Sequence, residues 1–275
     1  MSWQRHPVFI NSWPQQPWVD YAIFIDENGD ANLKHVRKCL SDGFLPEDGN
    51  RFMQVTGCCM HRNDVEQVKE ATLTLKMNHW PEGLFQYKGT LKRVCLHSRE
   101  IRERTGPFCC SEINYPQFIN ELTDTIVGSN FSIASITIDK YGLVKKYINP
   151  YDPYCVAIEF LLERLLMNNV PNNKKCILIL EARNLPDDKI LLNKIMMIIR
   201  HGTQYCPATM FNRIAGVYFN PKWCREAKER KSYFGLEIAD LVGHPIYKYM
   251  ALGKQDRAYL SIKHKITHHG TKKFP

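Results

Sequence analysis

The sequence has no apolar run long enough to cross a bilayer. Its longest, Ile177 to Leu180 and Ile195 to Ile199, fall far short of the roughly 20 residues that a spanning helix needs. It also lacks a signal-peptide core, because Met1 to Trp18 carries Gln, Asn, Arg and three prolines where an uninterrupted apolar stretch is required. A cytoplasmic protein with no membrane span is expected. No Gly-x-x-x-x-Gly-Lys loop, Gly-x-Gly-x-x-Gly turn or Gly-x-Ser-x-Gly elbow occurs, which sets aside nucleotide-driven motors, dehydrogenases and serine hydrolases. Zinc-type cysteine spacing is missing too. Cys58-Cys59 and Cys109-Cys110 are adjacent, lack the two-residue spacing that lets both thiolates reach one zinc, and read as buried small hydrophobes. With no secretory signal, the ten cysteines are expected to be reduced.

What is present suits a folded chain. Hydrophobic residues make up 44% of the 275 positions and charged ones 24%, which is the balance of an ordered domain rather than a disordered one. A net charge of +9 favours polyanionic partners through counterion release, although many basic proteins bind none.

Tyr21 to Ile25 is too continuous for a half-exposed strand and too short for a helix, so it predicts a buried strand. The Asn28-Gly29 pair that follows predicts a tight hairpin. Further strands are expected over 52–60, 131–138, 177–180 and 214–219. Helices are expected over 64–77, 116–127, 153–167 and 187–200, with a last one over 235–249 interrupted by Pro245. Early strands are consecutive and later ones alternate with helices. That order predicts an α/β three-layer domain whose mixed central sheet, flanked by helices, is antiparallel at first and parallel afterwards. A basic segment over about 80–112 reads mostly as inserted loops, and about 252–275 as a polar tail.

Asp26 and Glu181 end buried strands, the edge where open α/β sheets bind ligands. Asp240 lies in Gly-Leu-Glu-Ile-Ala-Asp-Leu-Val, with Glu237 and His244 as helix neighbours. Carboxylates beside apolar residues are costly unless neutralised, and several together repel. Mg²⁺ or Mn²⁺ resolves both problems, and two such ions about 4 Å apart suit an in-line phosphoryl displacement. Strand-end acids also cap helices or solvate loops, so both readings stand at this point.

At these residues the chain resembles the bacterial domain-of-unknown-function family numbered 3800, grouped with ribonuclease H-like proteins. The matching segments are Phe24-Ile25-Asp26-Glu27-Asn28-Gly29-Asp30, Leu96-His97-Ser98-Arg99-Glu100-Ile101-Arg102 with Thr105-Gly106-Pro107-Phe108, Ile138-Asp139-Lys140, Leu180-Glu181-Ala182-Arg183, Gly235 to Val242, and the terminal Gly270-Thr271-Lys272-Lys273-Phe274-Pro275. They run in the family's order across nearly the whole chain. The resemblance implies a single ribonuclease H-like domain and an acidic site of Asp26, Glu181 and Asp240, with Glu27 and His97 as second-tier members. Asp139 also ends a strand and competes with Glu181 as a metal ligand. Departures from the family pattern are Asn28 for Ser, Glu237 for Gln and His244 for Arg. Glu237 either raises metal affinity or faces solvent.

Lys92, Arg99 and Arg102 are candidate phosphate contacts, with a solvated charged face as the alternative, and Arg183, which follows Glu181, either orients that acid or binds phosphate. Trp80, Tyr87 and Phe108 are candidate stacking surfaces for bases, unless they are core edges. The expected function is metal-dependent nuclease hydrolysis of phosphodiester bonds of DNA or RNA by a two-metal-ion mechanism with Mg²⁺ or Mn²⁺, Asp26 bridging the ions and Glu181 and Asp240 completing their coordination, and proteins of this kind are candidates for defence or mobile-element roles. The alternative is a non-catalytic ribonuclease H-like subunit that binds nucleic acid or protein. A protein partner or a second copy of the chain is left open.

Overall fold

The computed structural model describes residues 2–4, 19–223 and 232–275. The N-terminal stretch weighed against a signal peptide lies outside them apart from residues 2–4. The first half runs β1 (Ser2–Gln4), β2 (Val19–Asn28), α1 (Lys34–Ser41), α2 (Asp48–Arg51), β3 (Phe52–His61), α3 (Arg62–His79), β4 (Leu84–Tyr87), β5 (Thr90–Arg93), α4 (Ser98–Glu103) and α5 (Tyr115–Gly128). The second half runs β6 (Ser132–Asp139), α6 (Lys140–Lys146), α7 (Pro153–Asn168), β7 (Lys175–Glu181), α8 (Leu185–His201), α9 (Ala208–Phe211), β8 (Ile214–Asn220), α10 (Phe234–Leu252), α11 (Arg257–Ile262) and β9 (Ile266–Phe274).

Among the described residues one seven-stranded sheet has the order β1-β8-β7-β2-β3-β6-β9. β2 pairs antiparallel with β3, and β3 with β6; the β2–β7, β7–β8, β1–β8 and β6–β9 pairs are parallel. The mixed sheet expected from the order of elements is therefore present. Each face carries its own apolar core. One gathers α3, α5, α10 and α11, and the other α6, α7, α8 and α9.

Four local expectations differ from the structure. Asn28-Gly29 does not close a tight hairpin: β2 and β3 pair, but α1 and α2 lie between them. Gly29 still performs a turn, with φ at +81° and no room for a Cβ, which would stand 2.8 Å from the Phe52 carbonyl oxygen. The stretch over 80–112 holds the antiparallel β4–β5 pair and α4 rather than mostly loops. The polar tail holds α11 and β9, the latter an edge strand on β6. Edge strands tolerate charged residues because one side is unpaired, which is why Ile266–Phe274 reads as a tail. Finally, α10 runs through Pro245 without stopping. Val242, Gly243 and Ile246 on both sides are buried, so packing holds the helix across the lost hydrogen bond.

α10 lies close on β2 because position 235 is glycine. A Cβ there would meet the Phe24 ring at 2.2 Å, and that ring is only 3% exposed. Gly235→Ala should cost about 1–3 kcal/mol through overpacking, read as a lower urea midpoint at unchanged slope.

Candidate functional site

Side-chain alternation decides which acids meet. Along β2, Ala22 and Phe24 enter the core under α10, whereas Ile23 and Ile25 enter the core under α7 and α8. Asp26 therefore points to the α10 face and Glu27 to the opposite one. Along β7, Ile177 and Ile179 share the α10 core, and Glu181, two residues on, joins Asp26. α10 contributes Asp240 from above.

The three carboxylates surround one ammonium. Lys222 Nζ lies 3.0 Å from Glu181 Oε2, 3.4 Å from Asp26 Oδ2 and 3.5 Å from Asp240 Oδ1. Lys222 sits two residues beyond β8, and its backbone carbonyl accepts the Cys95 thiol at 3.7 Å. Asp240 also accepts the Ser98 backbone N–H at 2.7 Å, which ties α4 to α10.

Asp26 is held well above the usual carboxylate range. Burial is the largest cause, a hydrogen bond with Glu181 adds to it, and Lys222 offsets part. Burial pushes Glu181 the same way, but the bond from Asp26 and the Lys222 charge outweigh it and leave Glu181 lowered. The two carboxyls are hydrogen-bonded to each other and are shifted in opposite directions. Burial alone would lower the Lys222 ammonium; the carboxylates of Asp26, Asp240 and Glu181 raise it instead.

Glu237 has neither role expected of it. It is 1% exposed and pairs with the equally buried Lys76, whose Nζ is 2.6 Å from Oε2. It also accepts the Leu96 backbone N–H at 3.1 Å. Glu237 and Asp240 together clamp the chain from Leu96 to Ser98, which carries His97. The His97 ring is half-buried, its Nδ1 is buried without a hydrogen-bond partner, and its pKa is lowered, mainly by burial. Glu100 Oε2 is likewise buried without a partner, and burial and then Asp240 raise its carboxyl.

Arg102 and His244 both feel the Asp240 charge. The His244 imidazole falls to about 4, chiefly through burial and then through Arg102 and Lys248. On the opposite face, Glu27 lines a cleft of about 430 Å³ with Asp30, Asn32, Tyr154, Arg183 and Leu191. Tyr154 Oη donates to Glu27 Oε2 at 2.9 Å, Arg183 Nε stands 3.9 Å from Oε1, and the guanidinium lies 4.3 Å over the Tyr154 ring. Burial pushes the Glu27 carboxyl up to about 7, with Arg183 opposing. Of the second-tier residues, His97 thus joins the acids, while Glu27 lines a neighbouring cleft with the phosphate candidate Arg183.

Asp139 does not join them. Asp26 pairs with Thr56 and Thr56 with Ser135, so Asp139 is two strands across and four residues farther along, about 10 Å by 13 Å. It caps α6 by accepting the Tyr141 and Gly142 N–H groups at 3.1 Å, and binds Arg51 Nη2 at 2.5 Å. Burial would raise its carboxyl, but Arg51 and the Gly142 N–H outweigh burial and lower it. A lowered folded pKa adds stability above the unfolded value and loses it as pH falls through the folded one. Asp139→Asn should therefore destabilise the protein by about 2 kcal/mol at pH 7, with the difference from wild type shrinking below the ordinary aspartate range. Denaturation midpoints from pH 7 to pH 2 check this, and Mn²⁺ binding should be unchanged.

Two other phosphate candidates make no ion pair with the three acids among the described residues. Arg99 is exposed and pairs with Glu103 at 2.8 Å, and Lys92 lies in the β4–β5 hairpin opposite Phe85. Trp80 and Phe108 are 4% and 0% exposed and pack edge-on against each other, so they are core and offer no stacking face. Tyr87 packs edge-on against Trp223. All nine described cysteines are free; Cys58 and Cys59 are buried as expected, but Cys110 is exposed.

The sequence signals the acids and passes over Lys222. The same strand-end reasoning finds it, since Asn220 pairs with Glu181 at the ends of β8 and β7, but only if bases are sought as well as acids. Among the described residues no group of three or more His, Cys, Asp and Glu side chains stands at metal-coordinating spacing; the ammonium fills the centre of the three acids instead. No family model, curated protein or solved structure matches the chain, so the resemblance to the family numbered 3800 rests on its six segments alone.

Proposed function

We propose that this chain is a ribonuclease H-like, metal-dependent nuclease that hydrolyses phosphodiester bonds of DNA or RNA at Asp26, Glu181 and Asp240. One observation carries the reading: carboxylates from β2, β7 and α10 converge on a single cation, Lys222 Nζ, at 3.0–3.5 Å. Buried ionic clusters add little net stability compared with apolar packing, and groups so perturbed concentrate at functional sites.

The donor set fits a hard divalent ion. All three groups are carboxylates, the oxygen donors that such an ion prefers, and they already face one positive charge, the Lys222 ammonium. Mg²⁺ takes oxygens at 2.0–2.1 Å, so the carboxylates must close by about 1–1.5 Å from where they hold the ammonium. Asp26, Glu181 and Asp240 would hold Mg²⁺ or Mn²⁺, which supplies Lewis-acid activation and charge stabilisation for in-line displacement.

The remaining chemistry belongs to the chain. His97, whose pKa burial lowers and whose Nδ1 is buried without a partner, supplies an imidazole for orienting water or a leaving oxygen. Arg102, which feels the Asp240 charge, and Arg183 in the cleft beside Glu27 supply phosphate contacts, and the +9 charge supplies long-range attraction.

Lys222 itself favours a second reading. An ammonium that already neutralises the acids makes a metal dispensable, as in a non-catalytic subunit that holds nucleic acid or a protein partner. Incubation of the metal-stripped chain with single- and double-stranded DNA and RNA, with and without Mn²⁺, separates the two. Cleavage that needs Mn²⁺ and stops with chelator supports the nuclease, whereas Mn²⁺-independent binding without cleavage supports the subunit.

A further inference from the structure

We infer that Lys222 is a built-in competitor for the divalent ion: its ammonium closes the acidic site in the metal-free protein and must withdraw before metal enters. The inference rests on the metal-site reading above and adds the device that controls it.

The geometry makes the two cations mutually exclusive. A Mg²⁺ ion bound by all three carboxylates at 2.0–2.1 Å needs the space that Nζ now fills, 3.0–3.5 Å from the same oxygens. Like charges so close repel, and the carboxylates do not serve both. The backbone that carries the lysine side chain is also held on one side. It follows Pro221 and is bonded to Cys95 through the carbonyl. The next residue, Trp223, packs edge-on against Tyr87 with ring centroids 5.1 Å apart and against His97 at 6.4 Å. From that fixed root extends a four-carbon stem with rotatable bonds, which an arginine fork or a short side chain would not match. Among the described residues its carboxylate partners are the three acids of the proposed metal site.

Competition has a definite sign. Removing a bound competitor tightens the apparent affinity for the ion it excludes, whereas removing a mere stabiliser of the acids would loosen or unfold the site. Mn²⁺ is titrated calorimetrically into the metal-stripped full chain as wild type, Lys222→Met and Lys222→Gln, each checked for folding by circular dichroism. Both variants should bind Mn²⁺ at least about tenfold tighter than wild type; binding by the variants and none by wild type would be the extreme of the same result. Equal or weaker binding by the variants, with wild type binding measurably, overturns the competitor and leaves the metal site standing. No binding by any of the three overturns both. Should neither variant fold, wild type alone decides: Mg²⁺ should increase reductive methylation of Lys222, followed by mass spectrometry, and no Mg²⁺-dependent gain at that residue overturns the inference.

Discussion

Asp26→Asn is expected to reduce metal-dependent phosphodiester cleavage by about a thousandfold or more, equivalent to about 4 kcal/mol of lost transition-state stabilisation, while leaving the protein folded. The two halves of the result have separate causes. The substitution removes a carboxylate from the cation site. It spares the local structure because asparagine keeps the shape of Asp26, and its Nδ2–H donates to Glu181, with which Asp26 is hydrogen-bonded. Stability should not fall at pH 7: a buried carboxyl whose folded pKa is raised costs stability above its unfolded value, and asparagine removes that cost. Cleavage rates beside urea denaturation check both halves. A folded variant with undiminished Mn²⁺-dependent activity would place the chemistry elsewhere.

Glu237→Ala is expected to cost about 3–5 kcal/mol of stability, since it strands a buried ammonium. Lys76 is 0% exposed and Glu237 holds it at 2.6 Å. The same change removes the acceptor for the Leu96 N–H, loosening the segment that presents His97. Glu237→Gln keeps a carbonyl oxygen there and should cost less, and Lys76→Met combined with Glu237→Met should recover much of the loss. Chemical denaturation of the three variants gives the ordering. A loss below 1 kcal/mol for the alanine variant would mean that Lys76 finds water or another partner.

The sheet was legible in the sequence because its strands are buried on both faces and therefore appear as continuous apolar runs. Tyr21 to Ile25 and Ile177 to Leu180 announce β2 and β7, and the acids that end those runs lie where the period-2 alternation puts them, on the α10 face. Asp240 was legible from its apolar helical surroundings. Partners supplied by distant chain were not. Arg51 meets Asp139 across 88 positions, Lys76 meets Glu237 across 161, and Lys222 meets Asp26 across 196; no local pattern encodes such pairings. That is why Asp139 passes as a metal candidate and Glu237 as an extra ligand. β9 was hidden for a different reason. As an edge strand with His268, His269, Lys272 and Lys273, it carries the charges that keep an exposed edge from pairing, and in sequence such charges resemble a solvated tail.

The most direct test of the acidic site is a crystal of the chain grown with Mn²⁺ and measured for anomalous scattering from manganese. Anomalous density between Asp26, Glu181 and Asp240, with the Lys222 side chain turned away, is the predicted result. No density there at saturating Mn²⁺, with Lys222 Nζ still inside the three carboxylates, would contradict the metal site and leave a lysine-neutralised binding protein.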